Sequence, residues 1–160
     1  MRLFEHQNPA QEYALQACII GLLIYSPVQA SLIAQTMAKI LIVDDEPIVH
    51  RLLQHHLERA GYELLAATNG REAIEMATRE EPELIVMDVM MAEMDGLTAL
   101  RRLKKDDDTK GIPVIMITAN SHAVTRQESE AAGAALFLTK PFSPNQLLNE
   151  IKRLVPGKAA

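Results

Sequence analysis

Polar side chains that could do chemistry follow four apolar runs of this chain. They are Asp44 and Asp45, Asp88, Thr118, and Lys140. A short apolar run that stops abruptly is typical of a strand buried on both faces of a parallel sheet. Reactive groups in open α/β sheets collect just beyond the carboxyl ends of the strands, so we expect these side chains to share one crevice.

Three carboxylates in one crevice would repel each other. Each pair of like charges about 4 Å apart costs on the order of 4 kcal/mol at an effective dielectric constant of about 20. A bound cation would offset this cost. Oxygen ligands select a hard ion, and a site that keeps several waters suits Mg²⁺. Asp44, Asp45 and Asp88 therefore predict a magnesium site.

A carboxylate beside Mg²⁺, an amine and a hydroxyl suits phosphoryl transfer. Lys140 and the metal would neutralise charge on the transferred group, and Thr118 would hydrogen-bond one of its oxygens. Asp88 is then the predicted nucleophile, forming an acyl phosphate. Each residue alone has a plainer interpretation, because Asp45 suits a helix cap, Thr118 a strand and Lys140 a surface. Their joint placement favours the site.

Five apolar runs alternate with amphipathic segments between Lys39 and Val155. The predicted strands are Ile40–Val43, Tyr62–Ala67, Leu84–Asp88, Ile112–Ile117 and Ala134–Leu138. This alternation predicts an α/β fold, a doubly wound five-stranded parallel sheet of the flavodoxin-like kind with strand order 2-1-3-4-5. The helix from about Ser121 to Ala132 has few large apolar residues, mainly Val124, and is predicted to be the most loosely held.

Composition narrows the functional class. A chain of 160 residues suggests one domain with a little excess, and 48% hydrophobic residues are ample for a core. The net charge of −5 argues against a nucleic-acid surface, and 4% aromatic residues argue against base-stacking platforms. The single cysteine, Cys18, cannot form an internal disulfide, which fits a cytoplasmic protein.

The first 36 residues break the regular pattern. Their apolar run, Ala14–Tyr25, is roughly a dozen residues long, whereas a membrane-spanning helix needs about 18 or more. A signal peptide is a competing interpretation, although the positive amino-terminal charge is lacking. Met37 directly precedes the first strand, so an upstream start chosen in error and an extra helix both fit. We expect an extension over 1–36, a domain over 37–157 and a tail over 158–160.

Five motifs resemble the receiver domain of two-component response regulators. They are ILIVDDEP (Ile40–Pro47), LIVMDVMM (Leu84–Met91), MDGL (Met94–Leu97), PVIMITA (Pro113–Ala119) and LTKPF (Leu138–Phe142). They occur in order and cover nearly everything after the first 36 residues. The resemblance, which also implies the strand order, implies that Asp88 accepts a phosphoryl group from a histidine kinase or phosphotransfer protein.

The resemblance implies a set of magnesium ligands. Asp45 and Asp88 would ligate Mg²⁺, and Asp44 would reach it directly or through water. The backbone carbonyl of Met90 would supply a further ligand. The chain departs from the family pattern in the loop after Asp88, where Ala92 stands in place of the usual proline. This departure concerns the rigidity of the loop and leaves the chemistry intact.

The resemblance also implies how the phosphoryl group is bound and sensed. Thr118, Lys140 and the amide of Ala119 would bind its oxygens. Phe137 would be the switch residue that changes rotamer, and Lys140–Pro141 would be a cis peptide, which costs little before proline.

Three histidines, His50, His55 and His56, fall on the first predicted helix. Their spacing does not match a pair of metal ligands on one helical face. We expect them to be mostly solvated and to be poor sites of phosphorylation within this chain.

Two other functions stay open beside a signalling phosphoacceptor. Phosphatases with an aspartyl nucleophile also use Mg²⁺ and lysine, but commonly carry a second acid two residues on, where this chain has Met90. A phosphorylation-independent binding module would not need the full set of acids, hydroxyl and lysine. Since only Pro156–Ala160 follow the last predicted helix, we expect a stand-alone protein, not an enzyme, that signals through a protein contact or a phosphorelay. A fragment of a larger regulator is the alternative.

Overall fold

Five parallel strands form one sheet in the order β2-β1-β3-β4-β5. The computed structural model describes residues 37–119 and 123–155, which belong to one unit beginning at Met37. The strands are β1 (Ala38–Val43), β2 (Tyr62–Ala67), β3 (Leu84–Asp88), β4 (Val114–Thr118) and β5 (Leu136–Thr139). The predicted fold class and strand order are confirmed.

Four helices connect the strands, a fifth follows β5, and together they cover the sheet. They are α1 (Pro47–Glu58), α2 (Gly70–Glu80), α3 (Gly96–Lys105), α4 (Ala123–Ala131) and α5 (Pro144–Leu154). Side chains that accept a backbone N–H bond cap three of them, namely Asn69 on α2, Asp95 on α3 and Ser143 on α5. These bonds satisfy amide groups that the first turn of a helix leaves without a partner. Each of these three helices therefore begins at a defined point after the strand that precedes it.

Two apolar clusters lie on opposite faces of the sheet. One contains Leu41 and Met87 together with residues of α2 and α3. The other contains Ile42 and Val86 together with residues of α1 and α5. Successive strand residues point to opposite faces, so a strand covered on both sides must be apolar throughout. Burying one such side chain completely contributes about 1.5–3 kcal/mol, and these interactions hold the strand ends in place.

Strand register places the polar residues at one edge of the sheet. Val43 pairs with Met87, so Asp44 and Asp88, the next residue on each strand, stand side by side. Thr118 pairs with Thr139, which immediately precedes Lys140. The four residues thus share the carboxyl-terminal edge of the sheet, as the apolar runs predicted.

Two strands begin later than predicted. β4 begins at Val114 because Ile112 donates its amide to Thr109 in a turn. β5 begins at Leu136 because Ala134 donates its amide to Ser129, which closes the end of α4. Both residues belong to connections, and their apolar side chains pack against the core without pairing in the sheet.

Some predictions concern other parts of the chain. Those for Ala14–Tyr25, for Cys18, for the Val124 side chain and for residues 156–160 lie outside the described residues. Between residues 37 and 155, leaving aside 120–122, no helix is long and apolar enough to cross a membrane.

Candidate functional site

Asp44 follows β1, and both its main chain and its carboxylate form hydrogen bonds. Its amide donates to the carbonyl of Ala67 on β2 at 3.2 Å. Its carboxylate Oδ1 accepts the amide of Glu46 at 2.8 Å, and Oδ2 accepts Lys140 Nζ at 2.9 Å. The side chain is buried, so this ionised group depends on its charged partner.

Asp88 ends β3, in the middle of the sheet, and is also buried. Its Oδ1 accepts the amide of Met90 at 2.9 Å, and its Oδ2 accepts Lys140 Nζ at 2.5 Å. Gly96 begins α3 against the carbonyl oxygen of Asp88, where any Cβ would overlap that oxygen. The absence of a side chain at Gly96 therefore lets α3 approach the end of β3.

Lys140 joins the two buried acids. Its ammonium contacts Asp44 and Asp88 directly and lies 3.8 Å from Glu46. Burial alone would lower the pKa of Lys140, but the hydrogen bonds and charges of Asp88 and Asp44 outweigh it and raise that pKa above its usual range. The Lys140 amide donates to the Thr118 carbonyl at 2.8 Å, and the Lys140–Pro141 bond is cis, as expected.

The remaining predicted ligands lie at the mouth of this site. Asp45 is exposed, and its Oδ2 lies 3.4 Å from the amide of Ala92 in the loop after β3. Met90, two residues after Asp88, is 69% exposed, and its thioether is not an acid. Asp45 therefore faces the same loop that supplies the Met90 carbonyl.

The donor chemistry of this site fits Mg²⁺. Within residues 37–119 and 123–155, no three acidic, histidine or cysteine side chains are grouped so that they could hold a metal ion by themselves. Mg²⁺ does not need such a group, because it is usually held by one or two carboxylates with waters and phosphate oxygens. Asp44 and Asp88 already share one cation, the ammonium of Lys140. Two buried carboxylates that converge on a cation are the part of the site that the protein must supply.

The two predicted phosphoryl-binding residues of β4 differ in exposure. Thr118 ends β4 fully buried, whereas Ala119 is exposed. Phe137 is half-buried on β5 and packs against the cluster that contains residues of α2 and α3. The structure thus brings Asp44, Asp88 and Lys140 into contact and places Thr118 beside them through the sheet register.

The prediction that the histidines are mostly solvated is wrong for His50 and His56, which are both half-buried. His50 is on α1, and its Nε2 lies 2.6 Å from the carbonyl oxygen of Asp44. His55 is exposed, as expected, and His56 is half-buried with Nδ1 2.9 Å from the Leu52 carbonyl. Sequence reasoning missed His50 because a bond to a backbone carbonyl six residues earlier leaves no pattern in residue types.

Residues 40–152 match the response regulator receiver domain family. The chain belongs to this family. This receiver domain is 37% identical over 121 residues to protein PilH of Pseudomonas aeruginosa, a match covering 76% of the chain and 100% of PilH. It is 38% identical over 117 residues to alkaline phosphatase synthesis transcriptional regulatory protein PhoP of Bacillus subtilis, covering 73% of the chain and 48% of PhoP. The chain thus spans about half the length of several relatives that it matches.

Solved receiver domains have the same fold. Chemotaxis response regulator CheY4 of Vibrio cholerae superposes with a TM-score of 0.70 at 36% identity, covering 75% of this chain and 100% of CheY4. The receiver domain of sensor histidine kinase PA1611 from Pseudomonas aeruginosa, solved with magnesium in its active site cleft, superposes with a TM-score of 0.70 at 27% identity. That match covers 76% of this chain and 100% of the PA1611 domain. The prediction that the chain is a two-component receiver domain is confirmed.

Proposed function

We propose that this receiver domain is switched by phosphorylation of Asp88. The observation that carries the proposal is the ammonium of Lys140, which bridges buried Asp88 and buried Asp44 at the edge of the sheet. An acid that only met water at a strand end would not be buried with a cation. The donor would be a histidine kinase or a phosphotransfer protein.

The residues divide the work of phosphoryl transfer. An Asp88 carboxylate oxygen attacks phosphorus, the new O–P bond forms, and the P–N bond of a donor phosphohistidine breaks with its electron pair on the departing imidazole. Lys140 then pairs with a phosphoryl oxygen, and the Thr118 hydroxyl and Ala119 amide bind the others. These groups are fixed on neighbouring strand ends, so little reorganisation is needed during the reaction.

Mg²⁺ would be held by Asp45, Asp88 and the Met90 carbonyl, with Asp44 binding directly or through water. When bound, it would neutralise charge on the transferred group. The buried acids support this assignment, and so does the magnesium described in the PA1611 receiver domain. The same site would also hydrolyse its own acyl phosphate, so that the signal ends without a separate enzyme.

The signal would leave through a protein contact or a phosphorelay. We propose that the domain acts alone in the cytoplasm, as a chemotaxis-regulator-like protein with Phe137 as its switch residue. The match to the whole of PilH supports a stand-alone protein. The match to about half of PhoP supports the alternative of a larger regulator.

Intact-mass measurement tests the phosphorylation site. Incubation with acetyl phosphate and Mg²⁺ should add one phosphoryl group to the wild type and none to Asp88→Asn. Asp95→Asn is the matched control, because Asp95 is an acid near the same edge that caps α3 and does not contact Lys140. Phosphorylation of Asp88→Asn in similar yield would show that the assignment is wrong. Turnover of a small phosphate ester would favour the phosphatase.

A further inference from the structure

Helix α1 begins without the side-chain cap that begins α2, α3 and α5. Glu46 occupies the cap position of α1, but its side chain makes no capping hydrogen bond. Pro47 begins the helix and has no N–H to offer. By contrast, α2, α3 and α5 each begin with a side-chain cap. The turn that carries Asp44 and Asp45 must therefore be held by other contacts.

His50 supplies such a contact from the first turns of α1. Its Nε2 lies 2.6 Å from the carbonyl oxygen of Asp44, and the ring is half-buried. A carbonyl oxygen only accepts hydrogen bonds, so Nε2 must carry the proton and donate. The Asp44 amide is held in turn by the Ala67 carbonyl at 3.2 Å. Both sides of the Asp44 main chain are thus tied to a neighbouring element.

The main chain of Asp44 sets the direction of its carboxylate. Oδ2 meets Lys140 at 2.9 Å, and Oδ1 accepts the Glu46 amide at 2.8 Å, so small rotations of the turn would break both bonds. Groups behind metal ligands commonly orient them, and losing one lowers metal affinity about 10–100-fold. A donor behind Asp44 would act on the site in this way.

We propose that His50 is a positioning residue of the phosphorylation site. Its Nε2–H fixes the Asp44 main chain, which keeps the Asp44 carboxylate in place beside Lys140 and Asp88 and available to Mg²⁺. This inference rests on the proposed function, because it concerns the same metal site. The role requires a donor at the Nε2 position and no change in the charge of the ring.

Two neutral substitutions distinguish the loss of the hydrogen-bond donor at Nε2 from the loss of the imidazole ring. His50→Gln places an amide NH₂ near the position of Nε2, whereas His50→Asn places one near Nδ1 and leaves the Asp44 carbonyl without a donor. His56→Asn is the matched control on the same helix, because His56 bonds to the Leu52 carbonyl instead of to the acidic turn. His50→Leu, which also lacks a donor, replaces His50→Asn if that variant does not fold.

The measurement is Mg²⁺ affinity by isothermal titration calorimetry on the full chain, together with the rise in melting temperature that Mg²⁺ causes. We expect His50→Asn to bind Mg²⁺ about tenfold more weakly than the wild type, and His50→Gln and His56→Asn to stay within about twofold of it. Recovery by the glutamine variant would identify the donor as the cause.

Three results would overturn the inference. One is equal Mg²⁺ affinity in His50→Asn and the wild type, even if the variant melts lower without metal, because that is a structural role alone. Another is equal loss in His50→Asn and His50→Gln, because the donor would then be irrelevant. The third is a wild type that binds no Mg²⁺, which would refute the proposed metal site as well. The first two results, obtained with a wild type that binds Mg²⁺, would refute only the role of His50.

Discussion

At the scale of single residues, Lys140 is the cation between two buried carboxylates. Removing one partner from a buried ion pair leaves charge without compensation and costs about 3–5 kcal/mol. We therefore expect Lys140→Met to lower the free energy of unfolding by about 3 kcal/mol in urea melts without metal. Asp44→Asn in the same background should recover part of this loss, because only Asp88 then stays unpaired. Equal stability of the single and double variants would contradict this coupling.

Two further measurements test the ion pairs of Lys140 with Asp44 and Asp88. Saturating Mg²⁺ should shrink the deficit of Lys140→Met, because no ammonium competes for Asp44 and Asp88 in the variant, which should therefore bind Mg²⁺ more tightly than the wild type. The raised pKa of Lys140 means that its contribution is fully present below the unfolded pKa of about 10.4 and is lost as pH rises through the higher folded value. The difference between wild type and variant should thus stay constant from neutral pH to about pH 10 and decline above it.

Sequence patterns predicted which residues would meet but not how they would pair. Asp44, Asp88 and Lys140 follow apolar runs, and the edge of a parallel sheet must collect whatever follows its strands. The arrangement in which one ammonium joins both acids depends on side-chain rotamers that residue types do not encode. The hydrogen bond from His50 to the Asp44 carbonyl was not predicted, because it also depends on a side-chain rotamer.

At the scale of elements, α3 must pack closely on the end of β3. A methyl group at Gly96 would overlap the carbonyl oxygen of Asp88. Overpacking of this kind costs about 1–3 kcal/mol, so we expect Gly96→Ala to be destabilised by that amount. The strain would be relieved by moving α3 or the end of β3, so the yield of phosphorylation by acetyl phosphate should fall as well.

Gly111→Ala is the control for this prediction. A Cβ at Gly111 would have no heavy atom within 4 Å among its neighbours. Its alanine variant should match the wild type or gain up to about 1 kcal/mol from lower entropy of the unfolded chain. Urea melts of both variants, followed by intact-mass measurement after acetyl phosphate, complete the comparison. Equal stability of the two alanine variants would show that α3 tolerates a side chain at its start.

The bounds of an element follow the sequence where hydrogen bonding and apolar pattern agree. β2 and β3 begin and end as predicted, because turns and polar residues flank their apolar runs. β4 and β5 begin later, since the amides of Ile112 and Ala134 close turns within the preceding connections. The apolar side chains of these two residues indicate that they pack against the core. They do not indicate that the backbone amides form hydrogen bonds outside the sheet.

At the scale of the whole molecule, the helices differ in how firmly they are held. α5 buries Leu147 and Ile151, and α3 buries Leu97, Leu100 and Leu103. Over residues 126–131 of α4, the single buried side chain is that of Ser129. A helix that buries little apolar surface opens at low free energy, so these residues fit the expectation that α4 is the element most easily biased by a change at the site.

Phosphorylation of Asp88 should therefore change the conformation or the stability of α4 and β5. A phosphoryl group adds about −1.5 to −2 charges, which Lys140 and Thr118 would meet at the ends of β4 and β5. Redistribution between two states needs only a few kcal/mol of differential interaction. Amide hydrogen exchange with and without beryllofluoride, a phosphoryl mimic, should change most in α4 and β5 and little in α2. Asp88→Asn treated in the same way is the control and should show no change. Exchange that changes only in α1 and α2 would place the responsive surface on the opposite side of β3, and α4 would then be weakly held without being part of the switch.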